Sequence, residues 1–81
     1  MNTRLQFGKE LQKRVTERQD IVQIGRWIFT IFFNWPNSQD KDFLNLLLHL
    51  STMEEGPEFA FTYEELNQIA DDLIAGKNVK L

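Results

Sequence analysis

Eighty-one residues carrying seven Phe, two Trp and no Cys make one domain near the lower size limit for a self-standing core. A chain of this length buries only about 60–65% of its unfolded surface. The lack of Cys excludes disulfides, thiol chemistry and Cys-based zinc sites, and nothing points to an oxidising compartment. The net charge of −3 is unevenly spread: residues 1–36 sum to +3 and residues 37–81 to −6.

The opening MNTRLQFGKELQKR has neither the apolar segment nor the cleavage site of a signal peptide. The most apolar stretch, Ile21 to Trp35, is short for a bilayer, which needs about 20 apolar residues, and it contains Gln23 and Arg26. No membrane span and a cytoplasmic location are therefore expected.

Residues 1–81 read as a single all-α domain, a small bundle or orthogonal array of four helices at about 3–18, 20–35, 38–54 and 62–75. In the first, Thr3 is the candidate N-cap, and Leu5, Gly8, Leu11, Gln12 and Val15 share a face beneath a charged surface. The second starts at Asp20, whose carboxylate suits the positive helix end. Ile21, Ile24, Ile28, Ile31 and Trp35 form one stripe and Val22, Phe29 and Phe33 another, with Trp27 and Phe32 between. A helix apolar nearly all round is expected to be central and packed on several sides. Pro36 restricts Trp35 and ends it.

The third helix carries Phe43, Leu47 and Leu50 on one stripe, with Leu44, Leu46, Leu48 and Met53 around it, and Gly56-Pro57 stops it. In the connector, Phe59 and Phe61 stand two apart, so both can turn inward. The fourth opens with a capping box, Thr62-Tyr63-Glu64-Glu65, with Phe61 and Leu66 as its hydrophobic staple. Leu66, Ile69, Ala70, Leu73 and Ile74 form its apolar face, and Gly76 and Lys77 suit its C-terminal end.

Catalytic chemistry lacks its inventory. General acid–base work needs a titratable group beside a partner, and the only histidine, His49, stands among leucines and reads as structural. Ser38 and Ser51 lack a nucleophile motif and fit capping or helix-surface roles. The four glycines are scattered, so no phosphate loop exists. Asp40-x-Asp42 lacks the glycine and closing glutamate of a calcium loop. Asp71 and Asp72 diverge by about 100° on a helix and cannot share an ion. Neither metal nor cofactor is expected. Leu44-Asn45-Leu46-Leu47-Leu48 matches a Leu-x-x-Leu-Leu pattern but reads as core.

Three binding modes remain. Glu54, Glu55 and Glu58, with Glu64, Gln68, Asp71 and Asp72 on the last helix, can form an acidic surface that steers a basic protein partner. Helix-start stabilisation explains Glu64 and Glu65 but not the others. Alternatively, Trp27, Phe32, Phe33 and Trp35 anchor a homo-oligomer or the seat of this chain in a larger complex. The third mode is nucleic-acid binding through Arg4, Lys9, Lys13, Arg14 and Arg18. Glu10 and Glu17 among these cations, and a pI near 5.0, argue against it.

The run from Phe43 to Ile74 resembles small helical immunity proteins of bacterial toxin systems. The resemblance lies in Leu44–Leu50, Glu54-Glu55-Gly56-Pro57-Glu58-Phe59 and Tyr63-Glu64-Glu65-Leu66. It spans about 30 residues and is one of pattern: a leucine-rich helix, an acidic proline-containing turn with aromatics, and an acidic final helix. It implies a non-enzymatic protein that binds a cognate, often basic, toxin and blocks it.

Overall fold

The computed structural model describes residues 3–36, 39–56 and 60–79. In chain order it contains α1 (Arg4–Thr16), α2 (Ile21–Phe33), α3 (Lys41–Ser51), a 3-10 turn (Thr52–Glu55) and α4 (Tyr63–Ile74), with no strand among the described residues. This is the expected all-α bundle, with helix ends displaced by a few residues. No helix among the described residues is long and apolar enough to cross a membrane.

The ends follow from local chemistry. Thr3 accepts from the Gln6 amide and Asp20 from the Val22 and Gln23 amides, so both act as N-caps. Two residues earlier than expected, α1 stops at Thr16 in a left-handed cap. Arg18 takes φ 56°, and the Arg18 and Gln19 amides donate to the Val15 and Arg14 carbonyls. The same pattern closes α4: Gly76 takes φ 81°, and the Gly76 and Lys77 amides donate to Leu73 and Asp72. Phe33 is the last residue of α2, because Pro36 keeps Trp35 out of the helix and the last turn unwinds early. Ser38, the expected start of α3, lies outside the described residues; that helix begins at Lys41 and tightens into the 3-10 turn. The capping box is complete, with Thr62 Oγ1 accepting from the Glu65 amide at 3.1 Å and Glu65 Oε1 from the Thr62 amide at 3.0 Å.

The helices form two antiparallel pairs. In the first, Gly8 of α1 lies so close to α4 that a Cβ there would stand 3.1 Å from Leu73 Cβ and 3.2 Å from the Ala70 carbonyl. Gln12 Nε2 donates to Asn67 and Asp71, and the Tyr63 hydroxyl donates to the Gln19 carbonyl at 2.8 Å. In the second pair, α3 and its 3-10 turn run back along α2. A Cβ on Gly25 would come within 2.9 Å of the Glu54 amide nitrogen, so only glycine lets the turn's backbone lie on the helix. At the other end Trp35 packs on Phe43, ring centroids 4.6 Å apart.

Phe7 joins the pairs. Fully buried, it stacks on Trp27 at 5.2 Å and meets Phe43 edge-on at 5.4 Å. Around it Leu11, Ile24, Ile28, Leu47, Leu50, Met53 and Leu66 complete a shared core. The expected inner face of α1 is thus amended at one end. Leu5 is 44% exposed, and Phe7, aligned with Leu11 and Val15 at steps of four, takes its place.

Candidate protein-binding surface

The acidic residues do not form one continuous patch. Glu54 lies against α2, its Oε2 3.7 Å from Arg26 Nε, and Glu55 beside it is exposed without an ion pair or side-chain hydrogen bond among the described residues. Glu58, with its neighbours Pro57 and Phe59, lies outside the described residues. The acids of α4 belong to the other helix pair and are largely engaged there. Asp71 accepts from Gln12; Asp72 accepts from Gln68 at 3.0 Å and stands 3.9 Å from Lys77 Nζ. Glu64 is exposed at the rim of an open cleft of about 280 Å³ lined by Val15, Thr16, Arg18, Tyr63 and Asn67. That is below the usual size of a small-molecule site.

The cations of α1 are similarly spent. Arg4 forks onto the Asp40 carboxylate, reaches Asn78 Oδ1 at 3.0 Å and lies over the Phe43 ring. This bidentate contact holds the Asp40 carboxyl below its ordinary range, against the opposing effect of burial, and raises the Arg4 guanidinium. Arg14 covers the Trp27 ring at 4.3 Å and donates to Gln19 Oε1 at 2.8 Å. Its Nε stands 3.2 Å from Glu10 Oε1, but the N–H points off that line and makes no hydrogen bond. Arg18 lies over Tyr63 at 4.8 Å. Of the five cations named for a nucleic-acid-binding face, Lys9 and Lys13 alone are exposed without such contacts among the described residues.

The remaining groups of chemical interest are hydrogen-bonded within the chain. His49 is exposed, and its Nδ1–H donates to the Asn45 carbonyl at 2.8 Å. The buried Ser51 hydroxyl donates to the Leu48 carbonyl at 2.7 Å. Asp40 is occupied by Arg4, and Asp42 accepts from Asn78. Among the described residues no three His, Cys, Asp or Glu side chains converge as metal ligands.

The distinctive feature is the outer face of α2. Of the four expected oligomer anchors, Trp27 and Trp35 are half-buried against the core, and the enclosed Trp35 Nε1 has no hydrogen-bond partner. Phe32 is partly buried, whereas Phe33 is 78% exposed. The second apolar stripe, expected to be covered, lies open: Val22 is 36% and Phe29 43% exposed, and Phe29 touches both Phe32 and Phe33, with ring centroids 6.3 and 6.4 Å away. Between Val22 and Phe29 stands Arg26, its side chain 72% exposed. That arginine was the available signal, since a cation in the middle of an apolar stripe is rarely buried unless paired. Compared with protein-family models, curated proteins and solved structures, the chain matches none.

Proposed function

We propose that this chain is a non-enzymatic binding protein that acts by covering the surface of another protein. Its contact centre is the exposed stripe Val22–Phe29–Phe33 of α2 with Arg26 between Val22 and Phe29, and its polar rim is Glu54 and Glu55. The supporting observation is the exposure of Phe33 and Phe29 as touching rings on the face of α2 whose Arg26 stands 3.7 Å from Glu54 of the acidic turn. A few desolvated aromatics supply most of the energy of a protein interface, while charges at its rim set approach rate and selectivity. The partner in this reading carries an apolar ridge flanked by cations. A basic toxin held by a small acidic immunity protein fits that description and agrees with the resemblance of residues 43–74. The acids of α4 contribute long-range attraction rather than contacts, because Asp71 and Asp72 are occupied within the fold.

The test is capture of partners from the native host at low and high salt, identified by mass spectrometry. The wild-type chain is compared with Phe29→Ser/Phe33→Ser and Glu54→Lys/Glu55→Lys variants. The expected result is one stoichiometric, basic protein, lost with the serine variant at any salt and captured more slowly by the lysine variant at low salt. Equal capture by all three chains would refute the assignment of the surface.

A further inference from the structure

We infer that the two helix pairs form jaws, hinged at the end where the chain passes between them and held shut at the other end by a latch of Arg4 and Asn78. The chain passes from one pair to the other twice, and both passages lie at one end. The first is residues 17–20, fastened to α4 by the Tyr63 hydroxyl on the Gln19 carbonyl. The second leaves the 3-10 turn, whose Glu54 lies on Gly25 near the start of α2, and enters α4 at Tyr63, the residue that holds Gln19. At the opposite end α1 begins, α4 finishes, and α2 is joined to α3 of its own pair, so the chain does not cross between the pairs there.

Side chains alone span that mouth. Arg4 forks onto Asp40 and donates to Asn78 Oδ1 at 3.0 Å, and Asn78 Nδ2 donates to Asp42 Oδ2 at 3.4 Å. These two residues join the start of α1, the start of α3 and the segment after α4. Behind them the Phe43 ring, 5.3 Å from the Arg4 guanidinium carbon, meets Phe7 and Trp35. Two features favour opening here. The Arg4 and Asp40 side chains are 33% and 19% exposed, so water competes for the bonds of the latch. Inside, the enclosed Trp35 Nε1 has no hydrogen-bond partner; it gave up water on folding without replacement and regains it when the mouth opens. Burial of Phe7 opposes the motion and keeps the open form a minor state, reached without unfolding the whole domain.

The test is hydrogen exchange of the full isotope-labelled chain, followed by NMR at a series of low urea concentrations. The mouth probes are the Trp35 indole N–H and the Leu44 amide, which donates to the Asp40 carbonyl at 3.0 Å. The hinge probes are the amides of Leu11 and Leu50, both fully buried. The mouth probes should exchange faster than the hinge probes, with a urea dependence above zero but below that of global unfolding. Arg4→Ala should speed the mouth probes about fivefold and Asn78→Ala about twofold. Arg4→Lys, which keeps the charge but cannot fork, should fall between wild type and Arg4→Ala. Tyr63→Phe breaks a contact at the hinge that survives opening, so it should speed Leu11 and Leu50 about fivefold and leave the mouth probes unchanged. Equal acceleration of all probes by Tyr63→Phe would overturn the hinge, because the fold would then open only as a whole. Mouth exchange independent of urea would reduce the jaws to frayed helix ends, and mouth exchange unchanged by both Arg4 variants would overturn the latch. No partner enters the measurement, so its failure leaves the α2 face standing as a binding surface.

Discussion

The two helix pairs use their sequence in opposite ways. Where α1 meets α4, apolar residues face inward and the outside is charged, with Leu5, 44% exposed, as the large apolar side chain left over among the described residues. Gly8 brings the helices together, Gln12 and Tyr63 cross-link them, and left-handed caps close both C-terminal ends. Where α2 meets α3 and its turn, contact is just as close at Gly25, yet α2 carries more apolar surface than its partners cover. Burial inside one small domain is limited by its area, and the elements packed on α2 leave one of its apolar faces exposed. In this chain that face is Val22–Phe29–Phe33. The contrast separates residues that hold the fold from residues free to bind.

The comparison breaks most sharply at Phe7, which joins the pairs. Phe7→Ala should cost about 3–5 kcal/mol, enough to unfold most of so small a domain, measured by urea titration followed by circular dichroism. The glycines come next. Gly25→Ala meets the Glu54 backbone at 2.9 Å and should cost about 2–3 kcal/mol. Gly8→Ala meets contacts no closer than 3.1 Å and recovers up to about 1 kcal/mol of helix propensity, so the same titration should find it at most about half as damaging. If the order were reversed, α1–α4 would be the tighter contact.

An effect of about 1 kcal/mol is expected at the Arg4–Asp40 clasp, which ties α1 to the start of α3. The Asp40 carboxyl lies below its unfolded value of about 4, so its contribution is complete above that pH and disappears as pH falls through the lower folded value. Asp40→Asn should therefore lose stability at neutral pH and show a flatter decline in acid, read from melting temperature against pH. The left-handed caps give smaller effects. Gly76→Ala should cost about 1 kcal/mol, because it places a Cβ at φ 81°. Arg18→Gly should change stability by less than about 0.5 kcal/mol, relief at φ 56° being offset by the lost contact with Tyr63.

What could be read from the sequence follows the same division. The four helices, the capping box at Thr62–Glu65 and the left-handed Gly76 were legible because spacing and cap chemistry are local. Phe7 was missed although it aligns with Leu11 and Val15, because Leu5 completes an equally regular face and only the tertiary partners Trp27 and Phe43 decide between them. Gly25 was invisible, since its role depends on a turn about thirty residues later in the chain. For the candidate site, periodicity identified Val22, Phe29 and Phe33 as a stripe but could not say that no described residue covers it. The acids read as one surface were divided by the fold between two helix pairs.

The smallest expected effect tests the central contrast most directly: urea denaturation of Phe33→Ala beside Phe7→Ala. With 78% of Phe33 exposed and Phe7 fully buried, the account expects Phe33→Ala to lie within about 0.5 kcal/mol of wild type. A loss above about 2 kcal/mol at Phe33 would contradict it, because the outer stripe of α2 would then be part of the core and not a surface free to bind.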